Sequence, residues 1–146
     1  MSRNNLAFPA PTIYSHPLRL RIDDINYGQH LGHDTLVSLL HDARCGWLAT
    51  HGLTELTVDG KSLGWVVADL TVNYRAEAFY ADELLIELSI GAIGTKNAEI
   101  FHRVVRSDGV EIAMAKVTVV FFNYVTRKAA AVPENFIDLI KPIKRT

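Results

Sequence analysis

Only one long stretch of this chain carries helical periodicity, and it sits near the start of a sequence otherwise ordered with period two. From about Asp34 to His51, the apolar residues Leu36, Leu40, Ala43 and Trp47 recur at steps of four, three and four, and Val37, Leu39 and Leu48 widen the stripe. The spacing predicts one helix with a broad buried face. Asp34 complements the positive end of its dipole, and Gly52 supplies the stop. A lone amphipathic helix needs an apolar surface to cover, and the flanking sequence offers strands.

Leu18, Leu20 and Ile22 alternate with Arg19 and Arg21, which reads as a short half-buried strand over 14–22. Beyond Gly52, Val66, Ala68, Leu70, Val72 and Tyr74 alternate with Val67, Asp69, Thr71, Asn73 and Arg75, predicting a long strand with one apolar face. Leu84, Ile86, Leu88 and Ile90 mark the next strand. A glycine-bearing turn at 91–96 joins it to a hairpin partner over 97–106, and Ser107-Asp108-Gly109 turns the chain again. The β-branched and aromatic run from Glu111 to Val125 suits the middle of a large sheet, and a short helix is expected over 134–140. This order implies an α+β architecture, with a five- to six-stranded antiparallel sheet packed on a single long helix.

Composition narrows the function classes. With 146 residues and 49% apolar content, the chain is expected to form one domain over 1–146, with residues 1–13, which include Pro9 and Pro11, as a loosely held leader. Lys plus Arg number 15 against 16 Asp plus Glu, so no global field recruits nucleic acid or an anionic membrane. The first fifteen residues lack a signal-type apolar run, and no stretch approaches the roughly 20 apolar residues of a membrane span. The expectation is a cytoplasmic protein. The lone Cys45 excludes an internal disulfide and reads as a small buried or half-buried thiol rather than a nucleophile.

The chemistry concentrates at the entry to the helix, where residues 22–33 read IDDINYGQHLGH. Asp24, Asn26 and His30 share this turn with two glycines, directly before backbone N–H groups that lack helical partners and can polarise a carbonyl. His30, His33 and His41 lack a convincing ligand spacing, so no metal is expected.

Order and motif together resemble the 4-hydroxybenzoyl-CoA thioesterase-like family, acyl-CoA thioesterases of the hot-dog fold. That family's pattern runs DxDxxGHVNNxxY, then a helix with an Ala-Arg pair and a terminal glycine, then YxxPxxxGDxL. In this chain Asp24 matches the first acid, Gln29 stands at the glycine, His30 matches the histidine, and Gly32-His33 replaces Asn-Asn. Ala43-Arg44, Gly52, Tyr74 and Asp82-Glu83-Leu84 also fall into place, so the likeness covers roughly 14–140. The main departure is Asn26, which occupies the position of the family's usual catalytic carboxylate and cannot act as a carboxylate base.

The resemblance implies a thioester hydrolase acting on a small or medium acyl-CoA, with coenzyme A as part of the substrate and no further cofactor. Asp24 with His30 would activate water, Asn26 would orient water or the substrate carbonyl, and Asp42 on the helix is the fallback acid. A backbone N–H at Gly32 or His33 would hold the oxyanion. Tyr74, Arg75, Thr95 and Lys96 would meet coenzyme A, with Arg103 and Arg106 as further cationic candidates. The family's active site forms between subunits, so a homodimer or homotetramer is expected. An acyl-ACP thioesterase, a non-catalytic acyl-CoA-binding module and a hot-dog hydratase are the alternatives; the hydratase motif D-x-N-P-x-H differs in spacing from the present turn.

Overall fold

The structure is a computed structural model and describes residues 5–141. Strand β1 (Tyr14–Arg19) leads through a 3-10 turn (Ile22–Asp24) into helix α1 (His33–Thr50). Strands β2 (Leu63–Tyr74), β3 (Glu83–Ile93), β4 (Asn97–Arg106) and β5 (Glu111–Asn123) follow. The two-residue β6 (Lys128–Ala129) and helix α2 (Asn135–Leu139) complete the order. All pairings are antiparallel, the sheet order is β1-β3-β4-β5-β2, and β6 extends the end of β5. This is the expected α+β sheet on one long helix, six strands in all.

Helix α1 forms where the 3.6-residue stripe lies, and Leu36, Leu40, Ala43, Trp47 and Leu48 are all buried. It ends because Gly52 takes a φ of +70°, which an L side chain rarely adopts. Trp47 then packs in an aromatic cluster with Trp65, Phe121 and Phe136, at centroid separations of 5.2 to 6.5 Å. Phe136, fully buried on the short helix α2, ties the C-terminal segment to the core, and its truncation to alanine should cost about 3–5 kcal/mol.

Three expectations are corrected. The alternation assigned to β2 breaks at Ala68, where the pairing with β5 slips by one residue between Val67 and Asp69. The extra residue shifts the phase of the strand, so Val67 and Leu70 both lie opposite the buried Val119 and Val117 and line a cavity beside α1, while Val66 faces the other side; all three keep exposed surface because β2 forms one edge of the sheet. Ile22 is exposed as well, because β1 ends at Arg19 and the chain tightens into the 3-10 turn. The leader, in the part the structure describes, is held: Leu6 N–H donates to Asn73 Oδ1 (2.8 Å), the Arg103 guanidinium lies 4.2 Å from the Phe8 ring centre, and Ile13 N–H donates to Leu88 O (2.8 Å). Residues 1–4 of that leader lie outside the described residues.

Candidate active site

The turn that feeds α1 is closed by its own polar groups. Asn26 N–H donates to His30 O (2.9 Å), Gln29 N–H donates to Asn26 O (2.9 Å), and His30 N–H donates to Asn26 Oδ1 (3.3 Å). Gln29 carries the left-handed backbone, φ +68°, at the position where the family pattern has glycine. An Asx-type side chain and a left-handed residue thus bend the chain tightly enough to return Leu31 against Ile25.

The return opens a cavity of about 210 Å³ lined by Asn26, His30, Gly32, His33, Tyr74 and Glu77 over an apolar floor that includes Leu36 and Ile112. Within it, the two backbone donors expected for an oxyanion are not equivalent. Gly32 N–H is already spent on Asp24 O (3.2 Å). His33 is the first residue of α1, the helix has no side-chain N-cap, and its first-turn N–H groups are the orphans of any helix start. Tyr74 holds the following peptide, its hydroxyl donating to His33 O at 2.8 Å. Burial, with the charge of Asp34 second, pushes the Tyr74 phenol above its usual pKa, so it stays a donor.

His30 is held in one orientation. Its Nδ1 lies 3.1 Å from Leu31 O, a contact that only an Nδ1–H can make favourably, which leaves the Nε2 lone pair free in the neutral ring. That nitrogen flanks Gly28, where an added methyl group would come within 3.1 Å of His30 Nε2 and 3.4 Å of Asn26 Oδ1. Glycine at 28 therefore makes the room in which the two side chains sit.

The expected acids are elsewhere. Asp24 is 3% exposed, and its carboxylate turns into the 3-10 turn: Oδ2 accepts the Arg21 N–H at 2.7 Å, and Oδ1 lies 3.6 Å from the Arg21 guanidinium. It lines a different cavity from His30, so the Asp24–His30 pairing is not formed. Asp42 is also outside the site, on the exposed helix face, with Oδ2 2.8 Å from His16 Nε2. The carboxylate that does line the helix-start cavity is Glu77, which sequence reasoning missed; it follows β2 without any periodic signal and stands where the family's YxxP pattern has proline.

The cationic candidates are committed to internal partners: Arg75 to Glu111 and Leu6 O, Arg103 to Glu87 (3.0 Å), Arg106 to Asp108 (2.8 Å). Thr95 and Lys96 occupy the β3–β4 turn, level with Val66 and Val120, whereas Tyr74 pairs with Ala113 at the other end of the sheet. Eight residues of strand separate those levels, roughly 25 Å. One subunit does not bring Tyr74 and Lys96 to the same place.

A second polar cluster lies further along α1. Arg44 is buried and donates through Nη1 to His102 Nε2 (3.1 Å), while its Nε lies 3.7 Å from Glu55 Oε2. Burial first, and the adjacent Arg44 charge second, push His102 down to about 3, so it is a neutral acceptor. Burial raises the Glu55 carboxyl, but the hydrogen bond from Trp65 Nε1 (2.5 Å) and the charges of Arg44 and His41 outweigh it and hold the group below the usual range. Cys45 is exposed rather than buried, and partial desolvation followed by the Glu55 charge pushes its thiol up to about 11, which removes it as a nucleophile at neutral pH.

Comparison with known proteins identifies the family and the fold. The model of the thioesterase-like superfamily matches residues 20–140. The acyl-CoA thioester hydrolase YbgC of Escherichia coli is 25% identical over 130 residues, covering 89% of this chain and 97% of that protein. Among solved structures, the 1,4-dihydroxy-2-naphthoyl-CoA thioesterase Slr0204 of Synechocystis superposes with a TM-score of 0.77 at 16% identity, covering 87% of this chain and 94% of that one. SAV2348 of Staphylococcus aureus, solved in complex with CoA, gives 0.78 at 19% identity, covering 94% and 85%. The structural likenesses bear on fold, and the family match on descent: the chain belongs to the thioesterase-like superfamily, hot-dog proteins whose class of chemistry is thioester hydrolysis.

Proposed function

We propose that the protein hydrolyses the thioester of a small or medium acyl-CoA in the helix-start cavity. The observation that carries this reading is the unequal pair of donors, with Gly32 N–H already bonded and His33 N–H left at the mouth of α1, braced through its carbonyl by Tyr74. The thioester carbonyl rests on His33 N–H, where a developing oxyanion gains most, and one such donor is worth about 2.7–4 kcal/mol in the transition state. Water is activated by His30 Nε2, with Glu77 supplying the carboxylate that Asn26 does not. Asn26 holds the turn through Oδ1, and Asp24 holds it through Arg21, so both are positioning residues. The size of the cavity, about 210 Å³, favours a compact acyl group.

The exposed edge of β2 supports a homodimer. Antiparallel pairing of two β2 edges about their middle buries Val66, Val67 and Leu70 and sets the Tyr74 end of one subunit beside the Val66 end of the other. Thr95 and Lys96 of the partner subunit then approach the cavity, which reconciles the expected coenzyme A contacts with the sheet levels described above. No helix among the described residues is long and apolar enough to cross a membrane.

Release of free thiol from a panel of acyl-CoAs and acyl-ACPs tests the reading. Turnover of CoA thioesters that is lost in His30→Ala and strongly reduced in Glu77→Gln is the expected result. Saturable binding without turnover would support the non-catalytic acyl-CoA-binding alternative, which the amide at Asn26 favours. Unchanged turnover in Glu77→Gln would return the base to His30 alone.

A further inference from the structure

On α1, away from the helix-start cavity, His41 and Cys45 are four residues apart on one helical face, and Glu55, from the segment after the helix, reaches back to both. Glu55 Oε1 lies 2.5 Å from His41 Nε2 and 3.4 Å from Cys45 Sγ, and the three donor atoms fall within 4.8 Å of one another. The far oxygen of the same carboxylate is fixed by Trp65 Nε1 and faces the Arg44 guanidinium. Glu55 is thus oriented from behind, as carboxylate ligands of metal sites are, with its second oxygen turned toward a nitrogen and a sulfur.

We propose that His41, Cys45 and Glu55 bind a borderline-soft divalent transition ion of the zinc class. Bond lengths of about 2.0 Å to nitrogen, 2.3 Å to sulfur and 2.1 Å to oxygen place tetrahedral ligand atoms about 3.3–3.6 Å apart. The Cys45–Glu55 separation already has that value. The His41–Glu55 contact must open by less than an ångström, and the exposed His41 ring, free of the core, can rotate to allow it. On binding, the Cys45 thiol loses its proton to solvent as the sulfur–metal bond forms, and His41 exchanges its hydrogen bond to Glu55 for a bond to the ion. The charges balance locally, with one carboxylate and one thiolate against the ion, and Arg44 stays paired to the oxygen that does not ligate. His41 and Glu55 also line a cavity of about 550 Å³ beside the β2 edge. Three protein ligands with the fourth position turned to a cavity is the open pattern, accessible to water or an added ligand, rather than the closed structural one.

The site escapes a search of the sequence for ligand spacing because its carboxylate arrives from a loop ten residues beyond the cysteine and because the histidine cluster 30, 33, 41 divides between two regions. Its test is cobalt titration of the tag-free full-length protein after exhaustive dialysis against a chelator. The expected result is saturation at one equivalent per chain, with a near-ultraviolet thiolate-to-cobalt absorption and visible bands of tetrahedral intensity, displaced by zinc. Cys45→Ser should abolish the near-ultraviolet band, and His41→Ala should weaken binding by roughly tenfold or more. His51→Ala, at the C-terminal end of α1 and six residues beyond Cys45, should leave the titration unchanged. Absence of a saturable band, or a near-ultraviolet band that survives Cys45→Ser, would overturn the proposal.

Discussion

Two polar regions share helix α1, and they use charge in opposite ways. The mid-helix cluster holds more charge: Arg44 is bonded to His102 and faces Glu55, which in turn is held by Trp65. On this inward side the polar groups face one another, with Arg44 Nε left buried short of hydrogen-bond distance from Glu55, and the cluster braces the helix against the sheet. The helix start holds little charge, but His33 N–H and His30 Nε2 are left uncommitted while their opposite ends are fixed by Tyr74 and Leu31. A site that acts on a passing substrate needs oriented groups with a valence to spare, and the quantity of charge is a poor guide to where it lies.

The comparison can be broken in graded steps. The largest effect is expected at the helix start, where His30→Ala should lower kcat by about 10²–10⁴ with little change in Tm, measured by thiol release and thermal melting. Gly28→Ala should follow, since its methyl group meets His30 Nε2; a clear loss of kcat with the fold intact is expected. In the mid-helix cluster, effects should appear in stability instead. Glu55→Gln should cost about 1–3 kcal/mol by denaturant unfolding, because it weakens the hold on Trp65 and leaves Arg44 without its charge partner.

The same cluster sets the acid side of the stability curve. His102 is 6.5 when unperturbed and about 3 in the fold, so between those values the unfolded chain binds the extra proton. Stability therefore falls as pH drops from about 6.5 toward 3, by up to about 1.4 kcal/mol per pH unit for this one group. Glu55, whose folded value is depressed, adds stability that is present above its ordinary range and lost as pH falls through the folded value, the same direction. Unfolding measured across pH 3–7 should show His102→Asn flattening the upper part of that slope. The smallest effect belongs to Asp42→Ala: its exposed pair with His16 should contribute no more than about 1 kcal/mol, and kcat should stay near wild type.

Much of the fold was legible because periodicity reports burial directly. One helix and four long strands, in order, follow from steps of 3.6 and 2. The β2 bulge was not legible, since Ala68 fits the alternation on paper and only pairing with β5 reveals the extra residue that brings Val67 and Leu70 onto one face. At the site, the turn itself could be read, because Asp24, Asn26 and two glycines directly before a helix are turn-forming residues whose side chains bond the local backbone. The direction of Asp24 could not, because capping of a three-residue turn by its own backbone decides it. Glu55 and Glu77 were invisible for a different reason: both come from connections, where no repeat distinguishes an exposed acid from one folded back on the helix.

The central claim is that His33 N–H is the oxyanion donor; His33→Pro removes that hydrogen together with the imidazole, and His33→Ala, which keeps the N–H and should retain most of kcat, is its control. His33 is the first residue of α1, where proline is tolerated, and Gly32 before it has φ −68° and ψ 142°, the extended backbone a following proline requires. Steady-state kinetics of His33→Pro should show kcat reduced by about 10²–10³ while Tm changes little and acyl-CoA binding persists. Wild-type kcat in a folded His33→Pro protein would contradict the assignment and move the active site away from the helix start.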